Sequence, residues 1–140
     1  MVKLGLDTYE EPINQKEWKI YFPNPKAALP VANPDGTVEW VKWGRRKEEQ
    51  APFVQGGWAR LDSILDGKWE RYNPTPVKLA VQAFMEKDEA RVSHWIDVTP
   101  GFAIEALVIE RGEKRVYVVT EDTPPEFAWV HDRWPRFVTS

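Results

Sequence analysis

A glutamate and a histidine are the side chains with the clearest potential for proton transfer. Glu86 follows an apolar run, residues 77–84, that alternates as a strand does, so its carboxylate is expected at the rim of a sheet. Partial loss of solvent there would favour the protonated acid and suit it to acid–base work. His131 is expected at or just beyond a helix C-terminus, where the helix dipole favours a protonated imidazole. The two could form an acid–base pair, although glutamates at strand ends are more often simply solvated.

The other residue types exclude several kinds of chemistry. The chain has no cysteine, which rules out disulfides, thiolate metal sites and cysteine nucleophiles. The second histidine, His94, lies in a predicted strand over 93–96 without an evident partner, and we interpret it as structural. With two histidines a zinc site is not expected, and no phosphate loop or dinucleotide-binding turn is present. We therefore expect no metal and no cofactor.

Basic clusters and tryptophans are the features that could contact nucleic acid. The basic residues form two groups, Lys42, Arg45, Arg46 and Lys47, and then Arg133 and Arg136. The formal charge of −3 argues against bulk electrostatic binding, because nucleic-acid-binding domains are usually basic. Either group alone is also typical of a solvated surface. Most of the eight tryptophans are expected in the core, while a few could stack on unpaired bases.

Twelve prolines divide the chain into short pieces, which favours strands and turns over a helical bundle. The principal strands are predicted at 18–22, 29–32, 37–43, 77–84, 102–109 and 115–120. The turn Asn33-Pro34-Asp35-Gly36 joins the second and third of them as a hairpin, and the turn Arg111-Gly112-Glu113-Lys114 joins the last two. One helix is predicted over 58–65, with Gly67 as its stop. A second is predicted to start at the capping box Thr123-Pro124-Pro125-Glu126 and to end near residue 130.

The length of 140 residues suits one domain with a sizeable core. No apolar run approaches the roughly 20 residues that a membrane helix needs, and residues 1–7 have no signal-peptide character. We expect a single domain over 1–140, in the cytoplasm and not associated with a membrane.

Taken in order, several segments resemble the SOS-response-associated peptidase (SRAP) family, whose members bind abasic DNA. The segments are Tyr21-Phe22-Pro23-Asn24-Pro25, Leu29-Pro30-Val31, Pro34-Asp35-Gly36, Val41-Lys42-Trp43-Gly44, Ala59-Arg60-Leu61-Asp62-Ser63, 77–86, 102–110, and Val119-Thr120-Glu121 followed by Val130-His131-Asp132-Arg133-Trp134-Pro135. The last is similar to the family's Thr-Glu-Ala-Asn and Ile-His-Asp-Arg-Met-Pro. The resemblance covers roughly residues 20–138, whereas residues 1–17 diverge from the family's start.

The resemblance implies an α+β fold, compact and mostly antiparallel β, with short flanking helices. It places Glu86 on the family's catalytic glutamate and His131 on its active-site histidine. It also implies single-stranded DNA, possibly abasic, as the partner. The residues expected to contact that DNA are Arg60, Trp43, Arg45, Arg46, Trp58 and Arg133. In the family the amine of an N-terminal cysteine attacks the sugar aldehyde and its thiol closes a stable thiazolidine.

Departures from the family pattern limit the chemistry. Val2 stands where the cysteine would be, so no thiazolidine can form. Trp58 replaces an asparagine, and Lys87 replaces the tryptophan that follows the glutamate. Three hypotheses result: non-covalent binding of single-stranded or abasic DNA; a repurposed fold, of phage or prophage origin, acting as a protein-interaction or structural module; and a reversible Schiff base from the Val2 amine. The sequence leaves the oligomeric state open.

Overall fold

Strand pairing dominates the structure, a computed structural model that describes residues 2–5, 18–127, 129 and 133–140. Strands make up 47% of it and helical residues 9%. The strands are β1 (Val2–Gly5), β2 (Trp18–Tyr21), β3 (Ala28–Ala32), β4 (Val38–Trp43), β5 (Trp58–Arg60), β6 (Thr75–Leu79), β7 (Ala83–Lys87), β8 (Ser93–Asp97), β9 (Phe102–Glu110), β10 (Lys114–Glu121), β11 (Trp134–Pro135) and β12 (Phe137–Thr139). Helix α1 spans Leu61–Leu65, and 3-10 turns span Glu70–Tyr72 and Pro125–Phe127.

Five strands close into a barrel. β3 pairs antiparallel with β4 and β6, β6 pairs antiparallel with β9, and β9 pairs antiparallel with β10. A short parallel pairing completes the ring, in which Val116 of β10 lies opposite Trp43 of β4. Closure matters because it satisfies the backbone groups that an open sheet edge would expose.

Two hydrophobic clusters pack on opposite faces of the barrel wall. The first fills the interior, and its members include Leu29, Val31, Val41, Trp43, Leu79, Ile104, Ala106, Val116 and Val118. The second lies outside β9 and β10, and it consists of Phe53, Ala59, Trp69, Leu107, Ile109, Tyr117 and Val119. Side chains of β10 alternate between the two clusters, as the two-residue period of a strand requires. The segment between β4 and β6 therefore acts as a cover over the outside of the barrel.

A second sheet has the strand order β2-β1-β7-β8. β1 runs parallel to both of its neighbours, and β7 and β8 form an antiparallel hairpin. The ring of Phe84 in β7 lies 5.0 Å from that of Trp134 and 5.8 Å from that of Phe137. Trp134 belongs to β11, which pairs with the end of β10. These ring contacts seat the second sheet beside the far end of β10.

The expected α+β class is wrong, because the protein is mostly β with one five-residue α-helix. The helix predicted over 58–65 begins only at Leu61, since Trp58–Arg60 pairs with β10 as a strand. In the final predicted helix, the described residues Pro125–Phe127 form a 3-10 turn and Trp129 lies in a turn. There the ring of Phe127 stacks on Trp134 at 4.4 Å, a tertiary contact that outweighs the local capping signal. No helix within the described ranges is both long enough and apolar enough to cross a membrane.

The strand predicted over 77–84 is two strands in different sheets. β6 ends at Leu79 in the barrel, and β7 begins at Ala83 in the second sheet. Between them Ala80 donates its N–H to the Pro30 carbonyl, and the Gln82 carbonyl accepts from Val98. Leu79 and Val81 keep the two-residue alternation and Phe84 is out of phase with them, although all three pack in the same interior cluster.

Both predicted hairpins are confirmed. β3 and β4 pair antiparallel across the Asn33–Gly36 turn, where Gly36 has φ +88° and the Asp35 carboxylate accepts the Thr37 N–H at 2.9 Å. β9 and β10 pair across a turn that contains Gly112 at φ +79°. Local turn chemistry was sufficient in both cases because each pair is adjacent in sequence.

Gly57 provides a test of the packing that fixes β5. A Cβ at this position would lie 2.7 Å from both the Phe22 ring and Trp43 Nε1, whereas one at Gly36 would meet nothing within 4 Å. We expect Gly57→Ala to lower the free energy of unfolding by about 2–3 kcal/mol through overpacking. The control Gly36→Ala should cost about 1–2 kcal/mol from its positive φ alone. Urea denaturation of both variants compares them, and an equal or smaller loss in Gly57→Ala would contradict this packing argument.

Candidate functional site

Two of the predicted DNA-contacting residues share the exposed face of β5. Arg60 lies opposite Thr120 of β10, and the strand alternates so that Ala59 is buried while Trp58 and Arg60 face outward. The Arg60 guanidinium binds the Asp62 carboxylate through Nε at 3.1 Å and through its terminal nitrogen at 2.9 Å. More than half of each of these two side chains is exposed. Arg60 and Asp62 therefore form a bidentate ion pair that faces solvent.

Arg133 reaches the same place from the other side of β10. It donates to the Thr120 carbonyl at 3.0 Å and to the Asp122 carboxylate at 2.9 Å, and it lies 3.9 Å from the Asp62 carboxylate. Hydrogen bonds from Arg60 hold the pKa of Asp62 at about 2. An ionised carboxylate thus lies between the guanidiniums of Arg60 and Arg133.

The two candidate tryptophans have different environments. Trp43 is 1% exposed and donates its indole N–H to the Gly57 carbonyl at 2.8 Å, so it belongs to the core and has no open ring face. Trp58 packs against Trp43 at 5.4 Å and against Phe22 at 4.9 Å but stays 36% exposed. Of these two rings, only Trp58 presents a surface on which a base could stack.

Arg45 and Arg46 direct their hydrogen-bond donors into the protein rather than toward solvent. Arg46 is 8% exposed, donates to the carbonyls of Phe22 and Asn24, and stacks over the Phe22 ring at 4.1 Å. Burial lowers its pKa. Arg45 donates to the Glu49 carbonyl at 2.6 Å. The single basic groove of Arg45, Arg46, Arg60 and Arg133 is therefore not formed, because the first two hold loops together.

Glu49 is the carboxylate that accepts hydrogen bonds from the two buried arginines, Arg46 and Arg115. Its side chain accepts the Arg46 backbone N–H at 3.0 Å, the Arg115 guanidinium at 3.1 Å and the Lys42 ammonium at 3.3 Å. Burial acts to raise the pKa of Glu49, but these hydrogen bonds outweigh it and lower the pKa to about 2. Nothing in the sequence distinguishes Glu49 for this role, because its neighbour Glu48 is the same residue type.

Glu86 lies within β7 and is 8% exposed, not at an open sheet rim. Its cross-strand neighbour is His94 of β8. Contrary to expectation His94 has partners, since its Nε2 lies 2.9 Å from the Asp88 carboxylate and its ring 4.7 Å from that of Trp129. The hydrogen bond with His94 lowers the pKa of Asp88. Sequence reasoning missed this pair because it forms across the tip of the β7–β8 hairpin.

His131 lies outside the described residues, so its pairing with Glu86 stays a prediction. The described residues around it bear on that prediction. Trp129 contacts His94, which faces Glu86 across the hairpin, and Trp134 contacts Phe84, two residues before Glu86 on β7. The chain thus approaches the β7–β8 hairpin on both sides of His131.

The N-terminal strand enters the second sheet far from Glu86. In the parallel β1–β7 pairing Lys3 lies opposite Ala83, so the backbone of Val2 lies beside that of Gln82. Gln82 and Glu86 are four residues apart along the strand, a distance of about 13 Å. The structure therefore does not bring the Val2 backbone and Glu86 together.

Neither a group of metal ligands nor a related protein identifies a further site. Within the described ranges, no three His, Asp or Glu residues are grouped so that they could hold a metal ion. Comparison of the chain with protein-family models, curated proteins and solved structures finds no match.

Glu49 generates a pH-dependent prediction. Because its pKa is about 2 in the folded protein and near 4.5 otherwise, its stabilisation is present above pH 4.5 and is lost as pH falls toward 2. We expect Glu49→Gln to lower the free energy of unfolding by about 1–2 kcal/mol at pH 7, a value discounted for its partial exposure. Urea denaturation at pH 7, 4.5 and 2.5 should find the gap from wild type narrowing as pH falls. The control Glu48→Gln, an exposed neighbour, should match wild type throughout; a gap that stays constant with pH would refute the assignment.

Proposed function

We propose that the protein is a divergent SRAP-like domain that binds single-stranded DNA without a stable covalent link. The observation that carries this proposal is the convergence of Trp58, Arg60 and Arg133 at the end of β10. Many proteins bind single-stranded DNA by stacking its bases on aromatic rings while arginines contact its backbone. A duplex keeps its bases stacked on one another and offers no face to Trp58.

The geometry also supports a modest affinity. Asp62 is hydrogen-bonded to Arg60 and Asp122 to Arg133, so a phosphate must compete with these carboxylates. The formal charge of −3 gives no long-range attraction for a polyanion. A preference for abasic sites rests on the resemblance at Glu86 and His131.

A second candidate is a protein-interaction or structural module without DNA binding. It is favoured by the division of the basic residues, because Arg45 and Arg46 are committed to internal carbonyls. Carboxylates of Asp62 and Asp122 also neutralise much of the charge of Arg60 and Arg133. The two candidates differ in whether the freed guanidiniums bind DNA.

Asp62 allows that question to be tested by a gain of function. We expect Asp62→Asn to strengthen binding of a single-stranded oligonucleotide by about two- to fivefold, since it removes the competing charge. Arg60→Gln should weaken binding and reduce the slope of log affinity against log salt by about 0.7. Fluorescence anisotropy over a series of salt concentrations measures both effects.

Asp66→Asn is the matched control. It makes the same change in net charge one helical turn away, at an exposed residue that ends α1. It should leave affinity close to wild type if pairing rather than net charge is responsible. Equal binding of duplex and single strand, or no response to Asp62→Asn and Arg60→Gln, would favour the interaction module instead.

Covalent chemistry gives a separate prediction. A cysteine-free chain cannot trap an imine as a thiazolidine, so any adduct between the N-terminal amine and an abasic aldehyde stays a reversible Schiff base. We expect borohydride to capture whatever cross-link forms, and heating in denaturant without reductant to leave none on a gel. Acetylating the α-amine should abolish capture and spare non-covalent binding. An adduct that survives denaturation without reductant would show that the chemistry is different.

A further inference from the structure

The barrel has an open mouth at the end remote from Arg60 and Arg133. A cavity of about 580 Å³ lies there, and all five barrel strands contribute to its wall. Val31, Val77 and Val108 form its floor, and all three pack in the interior cluster. The volume falls within the usual range for small-molecule sites. The mouth is therefore a concave surface with an apolar base rather than a surface groove.

Tyr72 and Arg111 line one wall of the mouth, and Arg71, which contacts the Tyr72 ring, lines a neighbouring cavity. The Arg71 guanidinium lies 4.9 Å from the centre of the Tyr72 ring, and that of Arg111 lies 5.7 Å from it. Arg71 donates to the Tyr72 hydroxyl, and Arg111 donates to the Arg71 carbonyl, both at 2.8 Å. Trp69 supports the ring from below at 6.1 Å. The wall is thus an ordered group of side chains.

The charges of these two arginines are not balanced by a carboxylate. Over the described ranges, neither Arg71 nor Arg111 makes an ion pair with Asp or Glu, in contrast to Arg60, Arg115 and Arg133. Both face a second cavity of about 560 Å³, which is also lined by Phe53. Two guanidiniums that line one cavity without a carboxylate partner are suited to a phosphate.

The first cavity has the opposite character away from that wall. Asn33 and Glu110 line it and offer oxygen acceptors, while Glu39 is paired with Lys114. A ligand that spans the wall would therefore present an anion to one side and N–H donors to the other. Its middle would lie against the Tyr72 ring and the valine floor, which favours a flat ring.

From this arrangement we infer that the barrel mouth and the neighbouring cavity together bind a nucleoside monophosphate group, with the phosphate on Arg71 and Arg111 and the base beside Tyr72. The amino group of the base faces Glu110 and Asn33. The group could be a free mononucleotide or the 5′-phosphorylated end of a strand, since both carry the same chemistry. The site is separate from the proposed DNA surface, because Lys114 and Thr120 lie six residues apart on β10, about 20 Å.

Isothermal titration calorimetry of the full chain with AMP tests the inference. AMP should bind about tenfold more tightly than adenosine or inorganic phosphate alone, since each lacks one half of the contacts. Arg111→Gln and Arg71→Gln should each weaken AMP binding about tenfold. Both residues are exposed, so the variants should fold as wild type does. Lys26→Gln, an exposed residue elsewhere, is the charge-matched control and should bind AMP normally.

The design keeps this site distinct from the proposed DNA surface. Arg60→Gln should not change AMP affinity, and Arg111→Gln should not change binding of an unphosphorylated oligonucleotide. Tighter binding of a 5′-phosphorylated oligonucleotide than of the same oligonucleotide without the phosphate, with the gain lost in Arg111→Gln, would identify the strand end as the natural source; AMP binding without such a gain would identify the free nucleotide. The inference is overturned by no AMP binding, by phosphate binding as tightly as AMP, or by unchanged affinity in Arg111→Gln.

Discussion

Backbone pairing along β10 is the constraint on which the rest of the structure depends. One edge of the strand pairs in succession with β4 and β5, and the other pairs with β9 and then β11. Its faces are equally used, since Val116 and Val118 fill the barrel while Tyr117 and Val119 anchor the outer cluster. A strand committed on both edges and both faces has no freedom to shift its register. The two candidate binding surfaces, which lie at the two ends of β10, are therefore held in fixed positions.

Buried arginines explain why a basic sequence cluster does not become a basic groove. A buried guanidinium is costly unless its donors are satisfied. Arg46 meets that need with carbonyls of the turn after β2, and Arg115 meets it with Glu49, Glu113 and the Gly44 carbonyl. These arginines therefore connect loops, and the charge available to a ligand is smaller than the sequence suggests.

Sequence reasoning succeeded where structure is local and failed where it depends on closure. The two hairpins follow from turn residues between adjacent strands. The break between β6 and β7 was missed because alternation along 77–84 cannot show that the chain changes sheets. The same limit applies to the candidate site, because sequence alone cannot separate Trp43 from Trp58. In the structure Trp43 is in the core and donates to the Gly57 carbonyl, while Trp58 packs on Phe22 at the surface. Arg60 and Arg133 meet because both pack at Thr120, a contact between segments far apart in sequence.

The carboxylate between Arg60 and Arg133 determines how such a surface responds to its surroundings. With a pKa of about 2, Asp62 stays ionised through the physiological pH range, and its hydrogen bond with Arg60 raises the pKa of that guanidinium. The balance between internal pairing and phosphate binding is thus not set by pH. Because both states are pairs of exposed charges, salt screens the internal pair and the phosphate contact alike, but only the phosphate contact also releases counterions from DNA. If the surface binds single-stranded DNA as we propose, ionic strength controls its occupancy, and Asp62 favours ligands that bring more than one phosphate together with a base for Trp58.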